Sequence, residues 1–211
     1  MTKNERKQFS IKEDFSMLAL LIVPVGVAVN FVGGQLASLL RLPLYLDTIG
    51  TIFVAMLCGP WVGAVTGLLT NILTGIANPV NFAFIPVAII AGLVTGAFAR
   101  HDYFSVWWKW LIAMVVMGAA SILSAAPIVV LMFGGVTGSG ASLITATFMA
   151  AGANIWGAFI GTEGLFNVLD RIISVLICLA VIKVIPNRNL IKFSCGMFYV
   201  KDREEIAEVT E

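Results

Sequence analysis

The sequence predicts an all-α integral membrane protein. The expected architecture is a bundle of six transmembrane helices, both termini cytoplasmic, with a re-entrant or interfacial helix in the loop between spans 5 and 6. Three observations carry that prediction. Of the 211 residues, 59% are hydrophobic and 12% charged, about half the charged fraction of an ordinary soluble domain. Apolar runs able to cross a ~30 Å hydrocarbon core recur along the chain, and mean hydropathy is +0.98. Lys and Arg gather at alternate connections, which the positive-inside rule assigns to the cytoplasm.

Residues 1–14 carry Lys3, Arg6, Lys7 and Lys12 and form an expected cytoplasmic segment. The apolar run that follows has no small-residue cleavage pattern and reads as a first span, not a signal peptide. Residues 15–186 form the membrane domain, and 187–211 a charged cytoplasmic tail whose last stretch, Lys201–Glu211, is helix-prone but too short to be stable alone.

Span 1 is expected over Phe15–Leu39, with Pro24 inside it and a kink expected there. Its far half holds Asn30, Gly33, Gly34, Gln35, Ala37 and Ser38. Asn30 and Gln35 are either hydrogen-bonding glue between helices or ligand contacts. The first outer loop, residues 41–48, contains Tyr45 and Asp47. Asp47 before an apolar run reads as a helix N-cap or as a ligand contact at the mouth of the bundle. Span 2, Thr48–Cys58, is short, and Gly59-Pro60 makes a tight turn into span 3, Trp61–Ile76. Ala55, Gly59, Gly63 and Gly67 place a small residue at every fourth position, a face for close helix approach. Span 4, Phe82–Ala99, has a second such face in Ala88, Gly92 and Gly96. The Arg100–Lys109 loop, with Trp107 and Trp108, suits a cytoplasmic interface. Span 5 is Trp110–Phe133 and the final span Leu165–Ile185, ending before Pro186. Ser142–Ile160 lies between them. An even number of crossings is needed there, so this stretch is expected to dip into the outer half without crossing, which requires cover by protein or water. One helix across residues 48–76 would place Arg100 and Lys109 outside, against the charge rule.

The final span carries the polar signal. At ~100° per residue, Glu163, Asn167, Asp170 and Ser174 fall on one stripe, with Arg171 at its edge. Ionisable groups in lipid-soluble chain mark a substrate or ion pathway unless they only pair with one another and lock helices together. Polar residues gather at the outer ends of spans: Asn30, Gln35, Asp47, Asn81, Asn154, Trp156, Glu163 and Asn167. An outward-facing pocket, mostly apolar with a few convergent polar groups, uses them all. Asp47, Glu163 and Asp170 outnumber Arg41 and Arg171, which favours a ligand offering ring N–H groups, hydroxyls or positive charge. Trp156 is either a stacking surface or an interfacial anchor. Enzyme classes find no support: there is no nucleotide-binding motif, the glycine-rich 134–140 loop lacks the Lys-Ser/Thr of a phosphate loop, and the only histidine, His101, sits in a charged loop. Cys58, Cys178 and Cys195 have irregular spacing, with no metal pattern and no expected disulfide. No basic, aromatic-laced patch suggests nucleic acid.

The runs Val32-Gly-Gly-Gln-Leu-Ala37, Leu42-Pro-Leu-Tyr-Leu-Asp-Thr-Ile-Gly-Thr51 and Leu57-Cys-Gly-Pro-Trp-Val-Gly-Ala-Val-Thr-Gly-Leu-Leu-Thr-Asn71 resemble the substrate-binding S components of energy-coupling factor (ECF) vitamin transporters. The resemblance covers roughly residues 15–186. It implies capture of a B-type vitamin or precursor outside a bacterial plasma membrane. It also implies docking on a transmembrane coupling subunit driven by two cytoplasmic ATPases, which use the ATP; this chain itself needs no cofactor or metal. It places the ligand against the first outer loop (Tyr45, Asp47) and the outer parts of spans 4 to 6 (Asn81, Asn154, Trp156, Glu163, Asn167, Asp170). It places docking on small residues, of which the nearest here are Gly33 and Ala37 and the Gly59, Gly63, Gly67 face. The acid-rich outer end favours a pyridoxine-like or aminopyrimidine ligand. The rivals are an anionic vitamin such as pantothenate, paired with Arg171 or Arg41, a stand-alone proton-coupled carrier using Glu163 and Asp170, and a membrane scaffold. The chain shows no inverted repeat of the kind many carriers have.

Overall fold

The computed structural model describes residues 14–200; the basic residues before Asp14 and the Lys201–Glu211 stretch lie outside the described residues. The helices are α1 (Met17–Leu39), α2 (Ile49–Cys58), α3 (Pro60–Ala77), α4 (Val80–Ala83), α5 (Ile85–Arg100), α6 (Trp107–Phe133), α7 (Gly140–Ala150), α8 (Ile155–Val184) and α9 (Asn187–Leu190), followed by a 3-10 turn at Gly196–Tyr199. Four of them, α1, α3, α6 and α8, are long and apolar enough to cross a membrane.

Each boundary has a local cause. Ser16 caps α1 by accepting from the Ala19 N–H at 3.1 Å, and Ser139 caps α7 by accepting from Ser142. Gly134, in the left-handed region, ends α6. Pro60 and Pro86 stand in the first turns of α3 and α5, where a missing N–H breaks no helical bond. Three expectations need correction. Asp47 does not cap α2: the cap position is Thr48, and no side chain caps it. Ser142–Ile160 is not one helix, because the chain turns through Gly152 at φ 92 after α7. The final helix therefore starts at Ile155, ten residues before the expected Leu165, and absorbs Gly157, Gly161 and Gly164.

α2 is the axis of the bundle. Eight of its ten residues are buried, and it packs against α1, α3, α5 and α8. A helix apolar all round belongs in an interior, and Ile52, Val54, Met56 and Leu57 are fully buried there. Asn30 of α1 fixes where α2 begins. Its amide donates to Thr51 Oγ1 (2.8 Å) and Thr70 Oγ1 (2.9 Å). Its carbonyl accepts from the N–H groups of Gly50 (2.7 Å) and Thr51 (3.3 Å). The side chain has two donor hydrogens and two lone pairs, and all four are used. Asn30 is a knot among α1, α2 and α3.

The two small-residue faces meet each other. A Cβ on Gly63 would strike Ala55 and Gly92, one on Gly67 would strike Ala88, and one on Gly96 would strike Gly59 and Pro60. In lipid, helices associate by close van der Waals fit, because tails are as apolar as side chains. The interlocked glycines give α3 and α5 that fit. At one end of the bundle a buried ion pair at 2.5 Å joins Asp14 to Arg100, and Asp14 also fills the space a side chain on Gly59 would need.

Candidate ligand-binding site

α8 passes two apolar clusters. Its Phe159 belongs to a small cluster with Ile122, Ala125, Ala126, Val129 and Val130 of α6. Its Val175, Cys178 and Ile182 belong to the main core around α2. Between them runs the polar stripe: Glu163 (2% exposed), Asn167 (7%), Asp170 (0%), Arg171 (4%) and Ser174 (0%). The helical period predicts that these residues share a face, and the bundle turns that face inward.

What meets the stripe is the chain's own first loop. α2 is only ten residues long, ~15 Å at 1.5 Å per residue, so the chain before it reaches down to the middle of α8. Backbone polar groups at that depth need protein partners. Asp170 supplies one: its Oδ1 accepts from the N–H groups of Tyr45 (3.1 Å) and Leu46 (2.9 Å). Leu46 sits at φ 51, a conformation few residues with a side chain adopt, and the carboxylate holds it. The Tyr45 hydroxyl donates to Glu163 Oε2. Arg171 Nη1 donates to Thr48 Oγ1 at 2.6 Å, and Arg171 Nη2 lies 4.0 Å from Asp170 Oδ2. Gly33 packs against the Leu46 carbonyl and Gly140 against Leu42, so α1 and α7 clamp the same loop.

The remaining polar atoms are not matched. Asp170 Oδ2, Arg171 Nε, Ser174 Oγ and Ser121 Oγ are buried with no hydrogen-bond partner among the described residues. Asn167 also makes no hydrogen bond there. Ser121 is 2% exposed and stands one turn beyond Gly118, which packs on Val168 of α8. A buried polar group left unmet costs roughly 1–3 kcal/mol, and native proteins hold few. These unmet atoms lie on α8 and on α6, which packs against it.

Tyr45, Glu163, Asn167 and Asp170 are thus gathered in one place, with Asp47 beside them in the loop, its Cβ near Gly34. Asn154 and Trp156 are not gathered. Asn154 is exposed and caps α8 by accepting from the Trp156 N–H at 2.9 Å. Trp156 is 41% exposed, about 10 Å up the helix from Glu163. Asn81 lies half-buried on α4. Ser121 escaped the sequence reading, as did Thr145 and Thr162, whose hydroxyls meet at 2.6 Å between α7 and α8. A lone hydroxyl in an apolar helix carries no signal until a neighbour is known.

A sequence profile described as "ECF transporter, substrate-specific component" matches residues 18–182. The chain belongs to that family. No curated protein and no solved structure matches it. It is accordingly a membrane-embedded, substrate-binding subunit of an uptake system, not an enzyme, and it works with an ECF module on a small-molecule substrate. The small residues expected to receive a partner are covered by the chain itself. Gly63 and Gly67 face α5 and Ala55, Gly59 faces Asp14, Gly33 faces Leu46 and Ala37 is 4% exposed. The outward face of α1 presents Leu21, Val25, Val29, Val32 and Leu36 instead.

Proposed function

We propose that this S component captures a small, flat, nitrogen-containing vitamin or precursor, a pyridoxine-like or aminopyrimidine compound. The proposed site is the polar layer of α8, reached from the outside of a bacterial plasma membrane. Six passes through the bilayer with both termini inside belong to the same reading, as do the partners: one transmembrane coupling subunit and two ATPases that supply the energy. The observation that carries the ligand class is the unmatched set of Asn167, Ser174, Ser121 and Asp170 Oδ2. It offers donors and acceptors along one stretch of α8 and on α6, between two apolar clusters, which suits a ring bearing both kinds of group. Glu163 and Asp170 Oδ1 already serve the first loop. Their role is to hold Tyr45 over the layer, and Asn167 and the hydroxyls read the ligand.

Binding of radiolabelled B vitamins to the purified protein tests this reading. Asn167→Ala should weaken capture at least about tenfold, the equivalent of one hydrogen bond of ~1.4 kcal/mol, with the fold unchanged. A folded wild type that retains no vitamin would end it. The unpartnered Nε of Arg171 favours one second reading, an anionic vitamin such as pantothenate. Arg171→Gln separates the two: it should abolish capture of an anion, whereas a neutral or cationic ring loses only what depends on the placement of Thr48.

A further inference from the structure

Two adjacent lines of residues run along α8. Positions seven apart differ by only ~20° around a helix. Gly157, Gly164, Arg171 and Cys178 therefore make one line, and Gly161, Val168, Val175 and Ile182 the next. The C-terminal parts of both lines face the interior. Arg171, Val175, Cys178 and Ile182 are buried, and Val168 packs on Gly118 of α6. The N-terminal parts are glycine, and there the packing stops. Apart from the adjoining helix itself, no atom of the described residues lies within 4 Å of where a Cβ would stand on Gly157, Gly161 or Gly164. Every other glycine within a described helix has a neighbour within 3.2 Å of that position. Glycine weakens a helix and is used where a backbone is approached closely. Elsewhere in this bundle the approaching group is another part of the chain; on the N-terminal half of α8 it is not. A second observation marks what approaches. Asn167 stands one turn beyond Gly164, is 7% exposed and makes no hydrogen bond among the described residues. Helical side chains lean toward the N-terminal end of their helix, so the Asn167 amide leans over the Gly164 turn, where no side chain competes with it.

We propose that Gly157, Gly161 and Gly164 form the seat on which the ligand's ring lies, flat against bare helix backbone, with its polar edge turned to the Asn167 amide. The inference rests on the proposed function for the ligand class and adds which face of α8 the guest occupies and what selects it. Gly157 to Gly164 spans ~10 Å at 1.5 Å per residue, the length of one ring with a short substituent. Gly164 is the specificity-determining position, because a side chain there takes the space between ring and amide. A planar ring reaches the backbone along this face, and a branched or puckered molecule does not. A transmembrane helix of another protein also packs on small residues. The ligand is favoured because both glycine lines continue into buried positions, which makes this the inward side of α8, and because the unmet amide adjoins it.

Single cysteines and one alanine test the seat in the full-length chain. Gly161→Cys and Gly164→Cys are compared in proteoliposomes with Leu165→Cys and Leu169→Cys, which replace exposed leucines of the same helix. A small, permanently charged methanethiosulfonate, which does not enter lipid, is applied. Modification is read by peptide mass spectrometry, which separates the new thiols from the buried native ones. The two glycine positions should react at least about tenfold faster than the leucine positions, because water reaches the seat and not the lipid face. In a second arm, radiolabelled pyridoxine and thiamine are offered to purified wild type, Gly164→Ala and Leu165→Ala. Gly164→Ala should retain at least about tenfold less vitamin than wild type, with a ligand-free melting temperature equal to or above it, since alanine favours the helix and meets no neighbour there. Leu165→Ala should bind as wild type does. Equal, slow modification of glycine and leucine positions overturns the proposal, because the glycines then face lipid. Disulfide-linked dimers of Gly161→Cys in place of modification overturn it in favour of a second helix. Unchanged capture by Gly164→Ala, or a lowered melting temperature, also overturns it. A wild type that captures no vitamin ends the proposed function, and the modification rates still decide the seat; a wild type that captures vitamin beside a failed glycine arm ends the seat alone.

Discussion

Asn30 and Asn167 are the same residue type, both buried, on helices of similar apolarity, and they are opposites in bonding. Asn30 uses every donor and acceptor it has, on Gly50, Thr51 and Thr70. Asn167 uses none among the described residues. Around Asn30 the main core is continuous through α2. Around Asn167 two apolar clusters are parted by a layer of polar atoms, several without partners. A saturated amide in lipid is structural, since nothing remains for a guest to bond. An empty-handed one is tolerable only if something else completes it. Polarity alone therefore does not distinguish the two asparagines; the partners they find do.

Substitutions break or sharpen that contrast, and they fall in a clear order. Asp170→Ala removes the acceptor of two loop N–H groups and the neighbour of Arg171. Removing one member of a buried charge pair costs ~3–5 kcal/mol, so this variant should show the largest loss of stability in detergent and release Tyr45 from α8. Asn30→Ala comes next. It strands the Gly50 and Thr51 N–H groups and the Thr51 hydroxyl at once, with ~2–4 kcal/mol expected from several unmet groups, and a melting temperature near wild type would remove Asn30 as the contrast's structural pole. Gly92→Val forces a side chain onto the Gly63 backbone, and overpacking of this kind costs ~1–3 kcal/mol, visible as a lowered melting temperature with ligand specificity retained. Asn167→Ala should change unfolding least, within ~0.5 kcal/mol, because no bond is lost, while weakening ligand capture most. If it destabilises the protein as much as Asn30→Ala does, the two asparagines play the same part and the layer is only glue.

Much of this was legible in the residues. The stripe on the last helix follows from a 3.6-residue period, and all five of its members turn inward. The small-residue series in spans 2 to 4 foretell tight packing, and they interlock. Two kinds of error remain, each with a physical cause. Boundaries slipped where apolar and small residues run together, as at Gly157–Gly164, since glycine weakens a helix prediction but a packed bundle tolerates it. Roles slipped where the partner comes from far away in sequence. Asp47 looks like a cap and is not one, because Asn30 of α1 takes the Gly50 and Thr51 N–H groups at the start of α2.

The sequence by itself determined that the chain is membrane-embedded and helical, which helix carries the charged stripe, and which family it belongs to. These follow from composition, periodicity and short contiguous motifs, all local properties. Only the tertiary structure decided that the first loop descends to Asp170, that Asn30 is saturated while Asn167 finds no partner among the described residues, and that Cys195 meets the end of α2. The first and last of these depend on Leu46 with Asp170 and Cys195 with Leu57, more than 120 positions apart, and Asn30 depends on partners 20 to 40 positions away. A backbone N–H has the same donor strength wherever it occurs, so nothing along the chain announces which distant oxygen will satisfy it.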